Sequence, residues 1–246
     1  MIRYSDITIN DRNPIKRKLQ RTRLRHSLKI LESLSTDTVV KILDFGAGDA
    51  TLAKYVSEIL PQAKIFCYEP SPDLLEQAKE NPLLPPEIRI TGNLSDLPAR
   101  QFDYIFCLEV LEHLPENLIP HTLEQIRLLL HANGALVFSV PNEIYLAALM
   151  KGLFRLTRRW GDIDARPLNI LKATLGHSIT PRPVSEISKG VPYIFRHIGF
   201  DYRRLQKTIQ EKFELLSVYG SPLPSLPLFF NFEIYWHCQL KKIPDK

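Results

Sequence analysis

The fold is decided by the segment VVKILDFGAGD, residues 39–49. An apolar run of strand length ends there in an acid and two glycines, Gly46 and Gly48, and a helical pattern follows to about residue 60. Glycine lets a backbone approach a ligand closely, and the helix N-terminus favours negatively charged groups. The dinucleotide fingerprint needs a third glycine where this chain has Thr51, which disfavours NAD as the ligand.

Further strands alternate with helices after this segment. The predicted strands are KIFCYE (64–69), EIRIT (87–91), FDYIFCL (102–108) and GALVFSV (134–140), and helices are predicted over 72–80 and 117–130. This alternation predicts an α/β fold with a mostly parallel sheet, helices on both faces and right-handed crossovers. Residues 142–200 show no clear strand. After a helix over 201–212, FELLSVY (213–219) and FEIYWHCQL (232–240) predict two strands paired antiparallel at the sheet edge.

Length and composition exclude several classes of protein. The chain has 246 residues, of which 44% are hydrophobic and 24% charged, so disorder, collagen and coiled coil are excluded as overall descriptions. Three cysteines without CxxC spacing exclude a disulfide framework and a zinc ribbon. The sequence shows neither a signal peptide nor a membrane-spanning run, so we expect a cytoplasmic protein.

The net charge of +5 is unevenly distributed along the chain. Residues 1–40 carry +5, residues 41–143 carry −8 and residues 144–212 carry +8. The first basic block includes a helix predicted over 14–34, with Leu24, Leu28 and Leu31 on one face. The basic charge therefore lies outside the strand–helix core.

Polar residues follow the carboxyl ends of the next strands. Glu69 ends the second strand, 23 residues after Gly46, where an acid can accept hydrogen bonds from both hydroxyls of a ribose. TGNLSDLP (91–98) follows the third strand, where a nucleoside base can lie. CLEVLEHLP (107–115) follows the fourth.

With these motifs the sequence resembles the class I S-adenosylmethionine-dependent methyltransferases, above all the group acting on small molecules, quinones and lipid-like acceptors. ILDFGAGDA, CYEPS, FDYIFCLEVLEHLP and LLLHANGALVFSVPN match its motifs over residues 39–142, and the match is looser over 197–240. The resemblance implies a Rossmann-like sheet of seven strands in the order 3-2-1-4-5-7-6, with strand 7 antiparallel. It also implies S-adenosyl-L-methionine as the cofactor.

The resemblance assigns the cofactor residues by position. Asp44, Gly46, Ala47 and Gly48 would form the pocket for the methionine part, and Glu69 would hold the ribose. Pro70 and Ser71 would border the adenine, Asn93 and Leu94 would meet its edge, and Leu108 and Glu109 would lie near the methyl donor. The family often has glycine at Ala50 and aspartate at Asn93, whose amide oxygen can still accept a hydrogen bond.

Methyl transfer needs a general base only where the acceptor carries a proton. His113 is the first candidate, His197 the second and His177 the third. An alternative is a divalent metal at Glu109, Glu112 and His113, with His177 or His197 as a fourth ligand. The small-RNA 3′-terminal 2′-O-methyltransferases carry a similar Glu-x-x-Glu-His, but metal-free members of the class carry it too. The interpretation we favour has no metal.

The segment IYLAALMKGLFRLTRRWG (144–161) predicts a basic amphipathic helix, with Lys151, Arg155 and Arg158/Arg159 at helical spacing. Such a helix packs as a lid over an acceptor pocket, lies on anionic membrane, or does both. Anionic and lipid-linked acceptors both fit the charge. Nucleic acid is disfavoured because no RNA-binding module is recognisable.

We therefore expect an N-terminal basic helical arm (1–38) and a methyltransferase domain (39–246) with an inserted helical lid (143–200). The expected reaction is O-methylation of a small acceptor. The alternatives are a metal-dependent RNA 2′-O-methyltransferase and a non-catalytic methyltransferase-like binding protein, against which the intact Gly46, Gly48 and Glu69 argue.

Overall fold

The structure is a computed structural model that describes residues 14–179 and 181–241, without the side chains of residues 15 and 16. The first thirteen residues of the predicted arm lie outside the described residues. The helices are α1 (Pro14–Ser27), α2 (Thr51–Ile59), α3 (Pro72–Lys79), α4 (Ile119–Leu129), α5 (Tyr145–Arg158), α6 (Pro167–Thr174) and α7 (Tyr202–Lys212). The strands are β1 (Lys41–Phe45), β2 (Lys64–Tyr68), β3 (Arg89–Thr91), β4 (Phe102–Leu108), β5 (Leu130–Pro141), β6 (Ser185–Ser188), β7 (Val191–Tyr193), β8 (Phe213–Ser221) and β9 (Glu233–Leu240).

Seven strands form one sheet in the order β3-β2-β1-β4-β5-β9-β8. The first four pairings are parallel, and β9 runs antiparallel to both β5 and β8. This confirms the predicted α/β class and the predicted strand order. Because β1, β2, β4 and β5 are parallel, their carboxyl ends meet at one edge, where ligands of open α/β sheets bind.

The core lies on both faces of this sheet. Successive side chains of a strand point to opposite faces: on β1, Leu43 belongs to one cluster of buried apolar residues and Ile42 to the other. Cys67, Cys107 and Cys238 are buried free thiols, as expected for small core residues. No helix in the described ranges has the length and hydropathy required to cross a membrane.

The N-terminal helix α1 is attached to strands β8 and β9, at the side of the sheet away from β3. It ends at Ser27, earlier than predicted, and a 3₁₀ turn follows over Leu28–Leu31. The Tyr219 hydroxyl donates to the carbonyl of His26 (2.9 Å), and the Tyr235 hydroxyl donates to that of Arg23 (3.0 Å). These bonds bring the last turn of α1 over the carboxyl edge of the sheet.

The lid contains a β-hairpin, so the expectation of no strand over 142–200 is wrong. Strands β6 and β7 pair antiparallel around Lys189–Gly190, and Gly190 has a φ of +80°. A left-handed glycine in a short loop is typical of such a turn. The prolines at 183 and 192 obscured the alternation in the sequence.

The lid also contains α5, as predicted, but two of its cations face inward. Lys151 Nζ and the Arg155 guanidinium each lie 2.9 Å from the carboxylate of Glu143, which is buried. Burial raises the pKa of Glu143, but the positive charges of Lys151 and Arg155 outweigh this effect. The net result is a pKa lowered to about 2. The predicted basic face is thus largely an internal ion cluster that anchors α5 to the end of β5.

Candidate active site

A cavity of about 540 Å³ opens at the carboxyl ends of the parallel strands. The structure brings together there the predicted site residues apart from Ser71, Asn93, Leu94 and His177: Asp44, Gly46, Ala47, Gly48, Glu69, Pro70, Leu108, Glu109, His113 and His197. Asn93 is exposed beside the 3₁₀ turn after β3, and Leu94 packs against the core. The contact of these two residues with adenine stays a prediction.

The turn between β1 and α2 needs its glycines for different reasons. Gly46 has a φ of +82°, and a Cβ there would collide with the side chain of Val110. Gly48 has a φ of +56° with open space where its Cβ would be, so its backbone is accessible from the cavity. Ala50, where the family often has glycine, adopts a left-handed φ of +59°, which L-residues adopt at some cost.

Glu69 is held by this turn. Its carboxylate accepts hydrogen bonds from the backbone N–H of Gly48 (2.8 Å) and of Ser71 (2.9 Å). Burial raises the pKa of Glu69, and the two N–H donors oppose that rise. Each carboxylate oxygen has two lone pairs and uses one of them to accept from a backbone N–H. Both oxygens can therefore still accept a hydrogen bond from the hydroxyls of a diol.

Asp44 is a buried acid on the cavity wall that lacks a cation. Its Oδ2 has no hydrogen-bond partner among the described residues. Burial, with the nearby carboxylates of Glu69 and Asp49, raises the pKa of Asp44 to about 8. A bound ammonium group would satisfy this carboxylate. The glycine turn, Glu69 and Asp44 thus fit the amino-acid and ribose parts of S-adenosyl-L-methionine.

The two predicted bases lie side by side on the wall of the cavity. His113 Nδ1 donates to the carbonyl of Ile194 (2.8 Å), which leaves the lone pair on Nε2, and His197 Nε2 lies 3.3 Å from that atom. Burial lowers the pKa of His113 to about 4 and that of His197 to about 3. Both rings are therefore neutral at pH 7, as a general base must be. His177 is exposed and does not line this cavity.

The alternative metal site is only partly assembled as predicted. Glu112, His113 and His197 offer ligand atoms within 4.8 Å of one another, and within the described chain both oxygens of Glu112 are buried without a hydrogen-bond partner. Glu109, by contrast, pairs with Arg23. Whether the cluster holds a metal stays a prediction.

Arg23 and Tyr193 are among the cavity residues that the sequence reasoning missed. Arg23 of α1 lines the cavity and pairs with Glu109 and with the buried Glu233 of β9. Tyr193 of β7 stacks on the His113 ring, with centroids 4.2 Å apart. Arg23 lies 210 residues from Glu233 in the sequence, and no local sequence pattern predicts a contact between the two. The alternation VPYIF (191–195) was the available signal for Tyr193.

Comparison with known proteins agrees with this geometry. The family model described as "Methyltransferase domain" matches residues 43–136. The ubiquinone biosynthesis O-methyltransferase of Schizosaccharomyces pombe is 30% identical over 138 residues, which cover 52% of this chain and 48% of that protein. The trans-aconitate 2-methyltransferase of an Enterobacter species is 28% identical over 126 residues, which cover 50% and 47%. The chain thus spans about half the length of the curated relatives it matches.

The fold is shared with solved methyltransferase structures. A TehB-like SAM-dependent methyltransferase from Corynebacterium glutamicum superposes with a TM-score of 0.55 at 17% identity, covering 93% of this chain and all of the other. At that identity the likeness concerns the fold. Taken with the family match over residues 43–136 and the cavity at the carboxyl ends of the parallel strands, it supports a class I S-adenosylmethionine-dependent methyltransferase.

Proposed function

We propose that the protein methylates an oxygen atom of a small acceptor, with His113 as the general base. One observation carries this proposal. His113 lines the same cavity as Gly48 and Glu69, and its Nε2 carries the lone pair of the ring because Nδ1–H is committed to the Ile194 carbonyl. In the free protein this lone pair faces His197 Nε2, 3.3 Å away. The name of the Schizosaccharomyces pombe relative, an O-methyltransferase, supports the choice of oxygen.

The residues of the chain divide the task between binding and proton transfer. S-adenosyl-L-methionine supplies an electrophilic methyl group when bound. Glu69 and Asp44 fix its position, and alignment of donor and acceptor can lower the barrier by about 7–11 kcal/mol. His113 takes the proton of the acceptor hydroxyl, which raises the rate by ~10²–10⁴-fold.

The acceptor side of the cavity favours an apolar body. Val110, Leu114 and Pro192 line it together with the ring of Tyr193. Arg23, the cation on this wall, is already paired with two carboxylates. The basic segments of the chain fit either an anionic or a lipid-linked acceptor. The contacts in the cavity favour a hydroxyl compound with an apolar or lipid-linked body over a small polyanion.

The test compares His113→Gln with His177→Gln, an exposed histidine away from the cavity. Formation of S-adenosylhomocysteine is followed by mass spectrometry, with phenolic acceptors of increasing alkyl chain length and with trans-aconitate. We expect His113→Gln to lower turnover of phenols by ~10²–10⁴-fold and to keep S-adenosylhomocysteine affinity, with His177→Gln unchanged. Full phenol turnover in His113→Gln would refute the role of the base.

A second candidate for the same cluster is acceptor activation by a divalent cation. The observation that favours it is Glu112, whose buried carboxylate oxygens lack a partner within the described chain and lie beside two imidazoles. Metal analysis of the purified protein, and of Glu112→Gln, separates the two candidates. Stoichiometric metal that Glu112→Gln loses would favour the cation, and activity undiminished by chelators would favour the free base.

A further inference from the structure

The outward face of α5 is an unpartnered apolar stripe. Leu146, Leu149, Met150, Leu153 and Phe154 recur at helical spacing and are between 36% and 59% exposed. Beyond the end of the helix, Trp160 is 78% exposed. A soluble surface rarely gathers so many large apolar side chains, and such a patch marks an interaction site.

This stripe is not the packing face of the helix. On the other side of α5, Gly152 meets the side chain of Ile170 and Ala148 shares a small cluster with Ala173, so α6 packs there. Lys151 and Arg155 are drawn inward to Glu143. Small residues and two cations of α5 are thus used inside the protein, and five of its large apolar residues face outward.

The second lid helix repeats this arrangement. Leu168, Leu171 and Leu175 of α6 and its C-terminal turn are each more than half exposed at spacings of three and four residues. Both helices therefore direct apolar side chains outward from the lid.

The charges around these helices are cationic. Arg158, Arg166 and Lys172 are exposed, and among the described residues none has an acidic partner. Between Glu143 and Glu186 the acids are Asp162 and Asp164.

Both acids are already neutralised. The carboxylate of Asp162 pairs with Arg196 (2.8 Å), and that of Asp164, which is buried, lies 3.2 Å from Arg159. The outer surface of the two helices therefore joins apolar side chains to unneutralised positive charge.

We propose that the outward face of α5 binds the surface of an anionic phospholipid bilayer, with its apolar stripe in the interfacial region. Apolar residues beside arginines and lysines are the signature of interfacial helices, and an exposed tryptophan suits the boundary between hydrocarbon and water. The Arg158 guanidinium lies 4.7 Å from the centroid of the Phe154 ring, which places a positive charge directly on the apolar stripe. A second copy of the chain would bring the same cations together, which disfavours self-association.

The fluorescence of the protein gives a local test. The chain has two tryptophans, Trp160 at the end of the stripe and Trp236, which is fully buried in the sheet. Vesicles of phosphatidylcholine with about one quarter phosphatidylglycerol are added to the full chain. We expect a blue shift, protection from acrylamide quenching and flotation with the vesicles, all weaker with pure phosphatidylcholine or at high salt. Trp160→Phe should remove the shift.

Matched variants decide which surface binds. Leu153→Glu/Phe154→Glu should weaken partitioning by about 100-fold, since each apolar side chain contributes roughly tenfold. Leu83→Glu, which alters a side chain as exposed as Leu153 but outside the lid, should bind like the wild type. A cooperative thermal unfolding transition for each variant serves as the control that it is folded.

Several results would overturn the proposal. They are no flotation of the wild type, equal flotation of the lid variant, and a concentration-dependent dimer, without vesicle binding, that the lid variant abolishes. The same preparations are tested for single-stranded RNA, and binding to RNA instead of vesicles would also overturn it. Binding is measured without a methyl acceptor, so failure here leaves the proposed reaction standing, and failure of the reaction leaves this surface standing.

Discussion

The protonation state of Asp44 should make cofactor binding depend on pH. Burial and neighbouring carboxylates raise the pKa of Asp44 to about 8, so the side chain is mostly neutral at pH 7. An ammonium group that binds beside it needs the ionised form. Binding must therefore release a proton, and the affinity must rise as the pH rises towards 8.

The magnitude follows from the fraction of Asp44 that is ionised. With a pKa of about 8, roughly 1% of the free protein is ionised at pH 6 and about half at pH 8. Since the apparent dissociation constant varies inversely with that fraction, S-adenosylhomocysteine should bind about 50-fold more tightly at pH 8 than at pH 6.

Isothermal calorimetry with S-adenosylhomocysteine in buffers of different ionisation enthalpy measures both the affinity and the proton released. Asp44→Asn should bind weakly, with an affinity independent of pH. Asp49→Asn removes a neighbouring carboxylate that helps to raise the pKa of Asp44, so this variant should keep a pH-dependent affinity with the rise moved to lower pH. A wild-type affinity that is flat from pH 6 to 8, or a slope that survives Asp44→Asn, would refute the reasoning.

Three further predictions concern the frame of the site. Gly46→Ala should destabilise the protein by roughly 1–3 kcal/mol in urea unfolding, because of its φ of +82° and the collision with Val110, and Gly48→Ala should cost less because its Cβ enters open space. Glu143→Gln should cost about 3–5 kcal/mol in the same assay, because it leaves two lid cations without their buried carboxylate. In the wild type this contribution should be complete above pH 4.5 and lost as the pH falls towards 2. Arg23→Ala should expose α1 to limited proteolysis and weaken S-adenosylhomocysteine binding, and an unchanged cleavage pattern would argue against α1 as a cover of the cavity.

The fold was predictable because its signals are local. In the sequence, a buried parallel strand is a short continuous run of apolar residues. Each such run is followed by turn residues or by a segment with the apolar spacing of a helix. KILDF and FDYIFCL show this directly, and the structure places both in the sheet. The hairpin of the lid was missed because its strands are short and partly or fully exposed and have Pro183 and Pro192 beside or within them, so the alternation of apolar residues was weak.

The site was predictable where each residue follows directly on a strand end. Glu69 and Gly46 were found because the carboxyl ends of parallel strands meet at one edge, whatever the length of chain between them. Arg23 and Tyr193 reach the cavity through tertiary packing, and nothing in their neighbourhood specifies the partner. The inward turn of Lys151 likewise depends on Glu143, which a helical wheel of residues 144–161 does not contain.

The hairpin of the lid joins the two halves of the cavity. Ser188 Oγ lies 2.7 Å from the Oγ of Ser71, which is two residues from Glu69, and it donates to the carboxylate of Asp73 (3.1 Å). On the other strand of the hairpin, the ring of Tyr193 stacks on that of His113. One short element therefore contacts the cavity at two ends, beside Glu69 and at the ring of His113. Because displacing the hairpin disturbs both ends, we expect a compulsory order of substrate addition, with the cofactor bound first and S-adenosylhomocysteine released last.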